Sequence, residues 1–489
     1  MVKKVIIAGA GGRDFHNFLT YFRDNPEYLV VAFTATQIPG IERRRFPASL
    51  AGPKYPLGIP IYPEDELPRL IKELGVDEVV LSYSDLTYEE LGRFTSKVLA
   101  AGASLRLLPP SETYLMTYKP VIAVTAVKTG AGKSTVSRAI TKELLSRGLK
   151  VVPIRHPMAY GDLEVVVEVF RSEEDLDKYG VTIEEREEYI HYIRLGLKVV
   201  PIRHPMAYGD LEVVVQVFRS EEDLDKYGVT IEEREEYIHY IRLGVPVLAG
   251  VDYGRVLIEA ERLGDVILWD GGNNDTPFIR FNYMVTVADA MRPGYEISTY
   301  PGEVNVRLAN AVIVNKVSRA RKEDVEKVVR NVKDVNPEAK VVLADMEVFV
   351  DKPELVKGRR VAVIEDSPSV THGGLPYGAG YVAAEKYGVS EVIDPKPYAV
   401  GIVRELLQTY PHVGPVIPSV GYNVKHIRDL EMTINNMDVD AVILGTPVDL
   451  TKIINIRKPV VRVYWELKVL EGPTISELVD EFLNSSVRR

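Results

Sequence analysis

The chain has no cysteine in 489 residues. That removes disulfides, iron–sulfur clusters, thiolate zinc and cysteine nucleophiles together, and it fits the reducing cytoplasm. No run of eighteen apolar residues occurs, so no membrane-spanning helix is expected. The opening residues 1–8 carry too short an apolar stretch for a secretory signal and read as a first strand. Positive charge is in deficit, 60 Lys and Arg against 70 Asp and Glu, for a net charge of −10 and a pI near 5.5. Such a balance argues against a general nucleic-acid binder and requires local cations wherever an anion is bound. The eight histidines show no paired zinc-ligand spacing. No Gly-x-Ser-x-Gly elbow is present to start a serine hydrolase.

What is present is the composition of a globular protein, 46% hydrophobic and 27% charged, long enough for two or three compact units. Abundant Glu, Lys and Arg without cysteine also suit a thermophile. Short Val/Ile-rich runs alternate with helical periodicity, which predicts an α/β fold with mostly parallel sheets buried on both faces. We expect a Rossmann-like domain over residues 1–118, a P-loop domain over 119–355, and a C-terminal α/β portion over 356–489 that either extends the same sheet or stands apart. Residues 149–196 recur as 197–244, changed only where Glu168 becomes Gln216. Architectural repeats diverge, so this reads as a recent duplication or an error of sequence assembly, with one copy redundant to the fold.

The strongest motif is Lys128-Thr129-Gly130-Ala131-Gly132-Lys133-Ser134-Thr135, between an apolar strand and an amphipathic helix. Glycines let backbone N–H groups converge on phosphate oxygens and the helix start adds positive potential. Lys133 neutralises the β/γ charge and Ser134 reaches Mg2+. Val127 stands where the ordinary Walker A glycine would be. The segment instead resembles the deviant P-loop, whose extra lysine, here Lys128, commonly reaches phosphates across a dimer interface; Thr129 departs from that pattern, and a homodimer is the implied state. Asp270 closes a hydrophobic strand and has the place of a Walker B carboxylate near Mg2+, with Asp275 as a weaker acidic partner. Asn315-Lys316-Val317-Ser318 resembles a guanine-reading motif whose aspartate is replaced by Ser318, so ATP is at least as well suited as GTP. Arg155-His156 and Arg292 lie at strand ends where groups that stabilise phosphoryl charge belong. His372-Gly373-Gly374 precedes a helix and could cradle a second anion, as could Gly11-Gly12-Arg13 in an N-terminal turn that lacks the last glycine of the dinucleotide fingerprint.

Taken together, these motifs resemble those of archaeal cyclic 2,3-diphosphoglycerate synthetase and its relatives described as predicted GTPases, across the chain apart from the extra 48-residue copy. The resemblance implies ATP-driven closure of 2,3-diphosphoglycerate into an intramolecular phosphoanhydride, with Mg2+ and a small phosphorylated metabolite as partners. The competing class is a GTPase or ATPase switch, such as a metal-centre maturation factor, whose turnover responds to a protein partner.

Overall fold

The computed structural model describes residues 2–35, 44–155, 198–200, 245–247, 252–271, 275–371, 374–420, 424–446 and 450–487. His156, residues 272–274, His372, Gly373 and nearly all of the duplicated segment lie outside the described residues. The observed fold is α/β with mostly parallel sheets.

The N-terminal unit is a six-stranded sheet in the order Arg45–Phe46, Ile59–Pro63, Tyr28–Ala35, Lys3–Ala8, Glu78–Leu81 and Ser104–Arg106. Only the short edge strand Arg45–Phe46 runs antiparallel. The central strand Lys3–Ala8 ends in four successive buried residues, as a strand covered on both faces requires. One face packs Phe15, Phe18, Phe22, Phe33 and Phe46, and the other packs Leu67, Leu70, Ile71, Phe94 and Val98.

The second sheet begins with Val121–Ala126, fully buried, which runs into the P-loop and the helix Lys133–Ser146. Beside it lie Val266–Asp270 and then Val151–Arg155 on one side, with Tyr283–Asp289, Ala311–Asn315 and Lys340–Val350 on the other. The sheet continues without a break into the C-terminal portion. Val460–Glu471 pairs parallel with Ala441–Gly445 over its first three residues and antiparallel with Lys340–Val350 from Val463 onward, so one long strand joins two cores. Arg360–Glu365 and Glu391–Val392 complete that side. The final helix Ile475–Val487 returns to the P-loop helix, placing Leu478, Val479 and Phe482 in one cluster with Val136, Ile140 and Leu144. All strand carboxyl ends around the P-loop therefore face the same way, the edge at which open α/β sheets assemble sites.

Candidate active site around the P-loop

The P-loop turn depends on two glycines in left-handed conformations, Gly130 with φ of 80° and Gly132 with φ of 104°. A Cβ on Gly132 would also lie 2.2 Å from the Asn315 amide nitrogen. From Lys133 at the helix start, the ammonium reaches the Asp270 carboxylate at 2.5 Å, both side chains being nearly buried. Two adjacent strands thus bring Lys133, at the helix start after one, and Asp270, at the end of the other, together. In the register of the sheet Asp270 pairs with Arg155, which places that residue's backbone at the same edge.

Residues 289–316 form a clamp under the loop. Asp289 is buried and accepts from Arg292 Nε at 2.9 Å and from Lys316 Nζ at 2.8 Å. Arg292 then donates to the Thr129 carbonyl at 2.9 Å and Lys316 to the Gly130 carbonyl at 2.7 Å. Asn315 donates to the Ala131 carbonyl at 2.9 Å. Three side chains thereby fix three successive P-loop carbonyls and with them the conformation of the loop. Burial by itself would raise the Asp289 carboxyl, but the Lys316 and Arg292 charges beside it hold it below the usual range. Burial draws the Lys316 ammonium down, against the pull of Asp289. The sequence pointed to Asn315 and Lys316 as residues framing the base and to Arg292 as a group on the phosphoryl charge; their side chains are committed to the loop backbone and Asp289.

The N-terminal unit reaches the same loop. Asp85, in the connection after Glu78–Leu81, accepts the Thr129 N–H on its carboxylate at 3.2 Å, and its carbonyl accepts Lys128 Nζ at 3.0 Å. Its neighbour Ser84 hydrogen-bonds Asp275. Asp275 is pushed up to about 7, chiefly by burial, with Asp14 and Asp85 adding to the rise and Arg13 opposing it.

Gly11, Gly12 and Arg13 differ from the open anion-binding turn expected of them, and the reason is Asp14. Its carboxylate accepts the Gly11 N–H at 2.9 Å, the Gly12 N–H at 3.1 Å and the Phe15 N–H at 2.7 Å, filling the turn with the chain's own anion. Burial lifts Asp14 to about 6 in spite of these bonds. Arg13 bonds the Thr113 hydroxyl at 3.1 Å and the Thr276 carbonyl at 2.5 Å, and lies 4.3 Å over the Phe278 ring. Burial lowers its guanidinium, against the attraction of Asp275. Next to it the His16 ring stacks on Phe278 at 4.2 Å and contacts the Thr113 carbonyl at 2.7 Å. Arg13 and His16 thus dock the N-terminal unit on the P-loop unit.

The C-terminal glycine-rich segment also arrives at the P-loop: a Cβ on Gly130 would meet Leu375 at 3.1 Å. The helix Ala379–Lys386 that follows gives its first amides to a buried carboxylate, Glu365, from Gly380 at 3.1 Å and Tyr381 at 2.7 Å. Burial carries Glu365 up to about 8, partly offset by those amides. Glu365 thus occupies the helix start that follows the His372-Gly373-Gly374 segment, of which Gly374 is exposed and left-handed and the other two lie outside the described residues. Sequence reasoning missed Asp85, Ser84 and Glu365. A polar residue at or just past the carboxyl end of a buried strand was the available signal for each.

Were Mg2+ bound, Ser134 and Asp270 would offer it hard oxygen donors at the helix start and strand end, a small protein share that suits an ion completed by phosphate and water. Among the described residues no group of three or more acidic or histidine side chains forms a self-sufficient metal cage. No helix among them is long and apolar enough to cross a membrane.

No family model matches the chain. Arginine synthetase ArcE from Thermococcus kodakarensis is 48% identical over 481 residues, covering 98% of this chain and 97% of that protein. A cyclic 2,3-diphosphoglycerate synthetase from Thermococcus sibiricus is 25% identical over 111 residues, 22% of this chain and 25% of its own length. Among solved structures, LpxK from Aquifex aeolicus in complex with ATP aligns with a TM-score of 0.37 at 12% identity, over 81% of this chain and 96% of that one. The motif resemblance to the diphosphoglycerate enzyme is thus matched by a local likeness, whereas the likeness to ArcE runs from end to end. The chain belongs to the family of arginine synthetase ArcE and is a P-loop, nucleoside triphosphate-dependent enzyme of the synthetase class.

Proposed function

We propose that the chain is an ATP-dependent synthetase that forms arginine by phosphoryl activation. The observation that carries this reading is the end-to-end identity of 48% with an arginine synthetase. The P-loop supports it, because Lys133, the loop fixed by its carbonyls and Asp270 have the make-up of a triphosphate site suited to phosphoryl transfer.

An amidine nitrogen is installed at a carbonyl carbon in two balanced steps. The γ-phosphoryl group passes from the β–γ bridging oxygen to the carbonyl oxygen of the ureido precursor, and the nucleoside diphosphate departs. Ammonia then adds to the activated carbon, the carbon–oxygen bond breaks with release of phosphate, and the nitrogen loses a proton. Lys133 and Lys128 would offset the charge gathered in the first step. Asp275, held near neutrality beside the Ser84–Asp85 turn, is suited to receive the proton in the second. Mg2+ held by Ser134 and Asp270 would supply electrostatic support to the triphosphate.

A second reading, closure of 2,3-diphosphoglycerate, is favoured by the 111-residue match to that synthetase. One assay separates them. Purified protein with Mg-ATP is given citrulline and ammonium in one tube and 2,3-diphosphoglycerate in another, followed by phosphorus resonances and amino-acid chromatography. We expect arginine, ADP and phosphate in the first tube. Cyclic product in the second with no arginine in the first would replace this reading by the other. Turnover only on addition of a cell extract's protein fraction would favour the partner-gated switch instead.

A further inference from the structure

We propose that Asp85 is the P-loop's intramolecular anion, which a triphosphate must displace, so that nucleotide arrival moves the Ser84–Asp85 turn and is felt at the boundary between the N-terminal and P-loop units. The inference rests on the triphosphate-binding reading of the P-loop but not on which metabolite is the acceptor.

Amides of a P-loop are built to meet an anion. In this chain one of them, Thr129 N–H, already has one, since the Asp85 carboxylate accepts it at 3.2 Å. The same carboxylate lies 3.6 Å from the Lys128 ammonium, and the two side chains are only 14% and 13% exposed, so solvent screens the charges weakly. Asp85 is also one of two non-glycine residues held at positive φ among the described residues, at 72°. Such a backbone is maintained by its surroundings and clusters at working sites. A triphosphate oxygen approaching Thr129 and Lys128 would bring like charge against this carboxylate in a poorly screened place, and the two compete for the same donors.

The turn is tied to more than the loop. Ser84 hydrogen-bonds Asp275, and Asp85 is one of the charges that Asp275 feels. Asp275 in turn faces Arg13, which bonds the Thr276 carbonyl across the boundary between the two units. Moving Asp85 off the loop therefore takes a hydrogen-bond partner and a negative charge away from Asp275 at the moment the nucleotide binds. The N-terminal unit acts in this way as a sensor of the triphosphate.

The test uses the full chain and Mg-bound nonhydrolysable ATP analogue. In Asp85→Asn an amide oxygen remains to accept from Thr129, the backbone carbonyl still holds Lys128, and asparagine tolerates the left-handed conformation; only the charge is lost. Calorimetry should show the analogue binding roughly tenfold tighter than to the unaltered chain. Asp85→Gly, which removes the carboxylate and relieves the backbone, should shift affinity in the same direction and serves if the first variant folds poorly. Hydrogen exchange on the unaltered chain should show residues 82–87 exchanging faster when the analogue is added, while the P-loop amides slow. Equal or weaker binding by both variants, or slower exchange of residues 82–87 with the analogue, would overturn the proposal. Binding that is absent from the unaltered chain would instead remove the nucleotide reading itself, and Lys133→Ala, which should abolish binding, tells these two failures apart.

Discussion

Replacing Asp289 by alanine is the sharpest test of the clamp beneath the P-loop. The carboxylate is 1% exposed and bonds the Met291 N–H at 3.0 Å as well as Arg292 and Lys316. Without it two cations remain close together with no carboxylate between them, and Lys316 is itself almost wholly buried. Removing one member of such a group costs about 3–5 kcal/mol, most of it the penalty of leaving charge uncompensated in a poorly solvated place. The loss has a functional arm as well, because the same two cations hold the carbonyls of Thr129 and Gly130. Thermal melting from pH 3 to pH 8, with and without Mg-ATP, reads both. The sign follows from the depressed carboxyl: its stabilisation is complete above the ordinary value of 3.8 and disappears as pH falls through the lower folded value. The gap between the unaltered chain and the variant should therefore be wide at neutral pH and close only in strong acid, and Mg-ATP should raise the variant's midpoint less. A variant that melts with the unaltered chain at pH 7 and keeps its full response to Mg-ATP would refute the clamp.

Three further outcomes are expected. Lys133→Ala should abolish triphosphate turnover while circular dichroism still shows a folded chain, with a lower melting midpoint because the buried Asp270 loses its ammonium partner; retained activity would remove the site. Asp275→Asn should raise the melting midpoint above pH 7, because burial lifts this carboxyl from 3.8 to about 7 and an acid so raised loses stability as pH climbs through that window. The gain is at most roughly 4 kcal/mol, and it should vanish toward pH 4; a gap independent of pH would show that the charge is not its source. Deleting residues 197–244 should leave a folded, nucleotide-binding chain if one copy of the repeat is redundant, with soluble expression and calorimetry as the readout.

The parts legible in the sequence were those whose signal is local. Fully buried strands such as Val121–Ala126 and Val266–Asp270 appear as continuous apolar runs, and the turn after the first needs glycine where φ is positive, so strand, loop and helix could be read in place. Lys133 and Asp270 were likewise legible, since each ends or begins an element whose direction is set by that pattern. What sequence could not convey was which anion fills each cradle. Three glycine-rich turns look alike as strings, yet Asp14 closes the first from two residues away and Glu365 closes the third across a strand–helix crossing. Both carboxylates are raised by burial. The P-loop is engaged by Asp85, 44 residues distant in the chain, through a contact that exists only because the N-terminal unit docks by Arg13 and His16. The difference lies in strength of hold. Asp14 and Glu365 each accept two or more amides from within their own unit, whereas Asp85 accepts one amide of the P-loop from another unit, beside a lysine suited to a more highly charged ligand. Of the three filled cradles, the P-loop is the one that a triphosphate can empty.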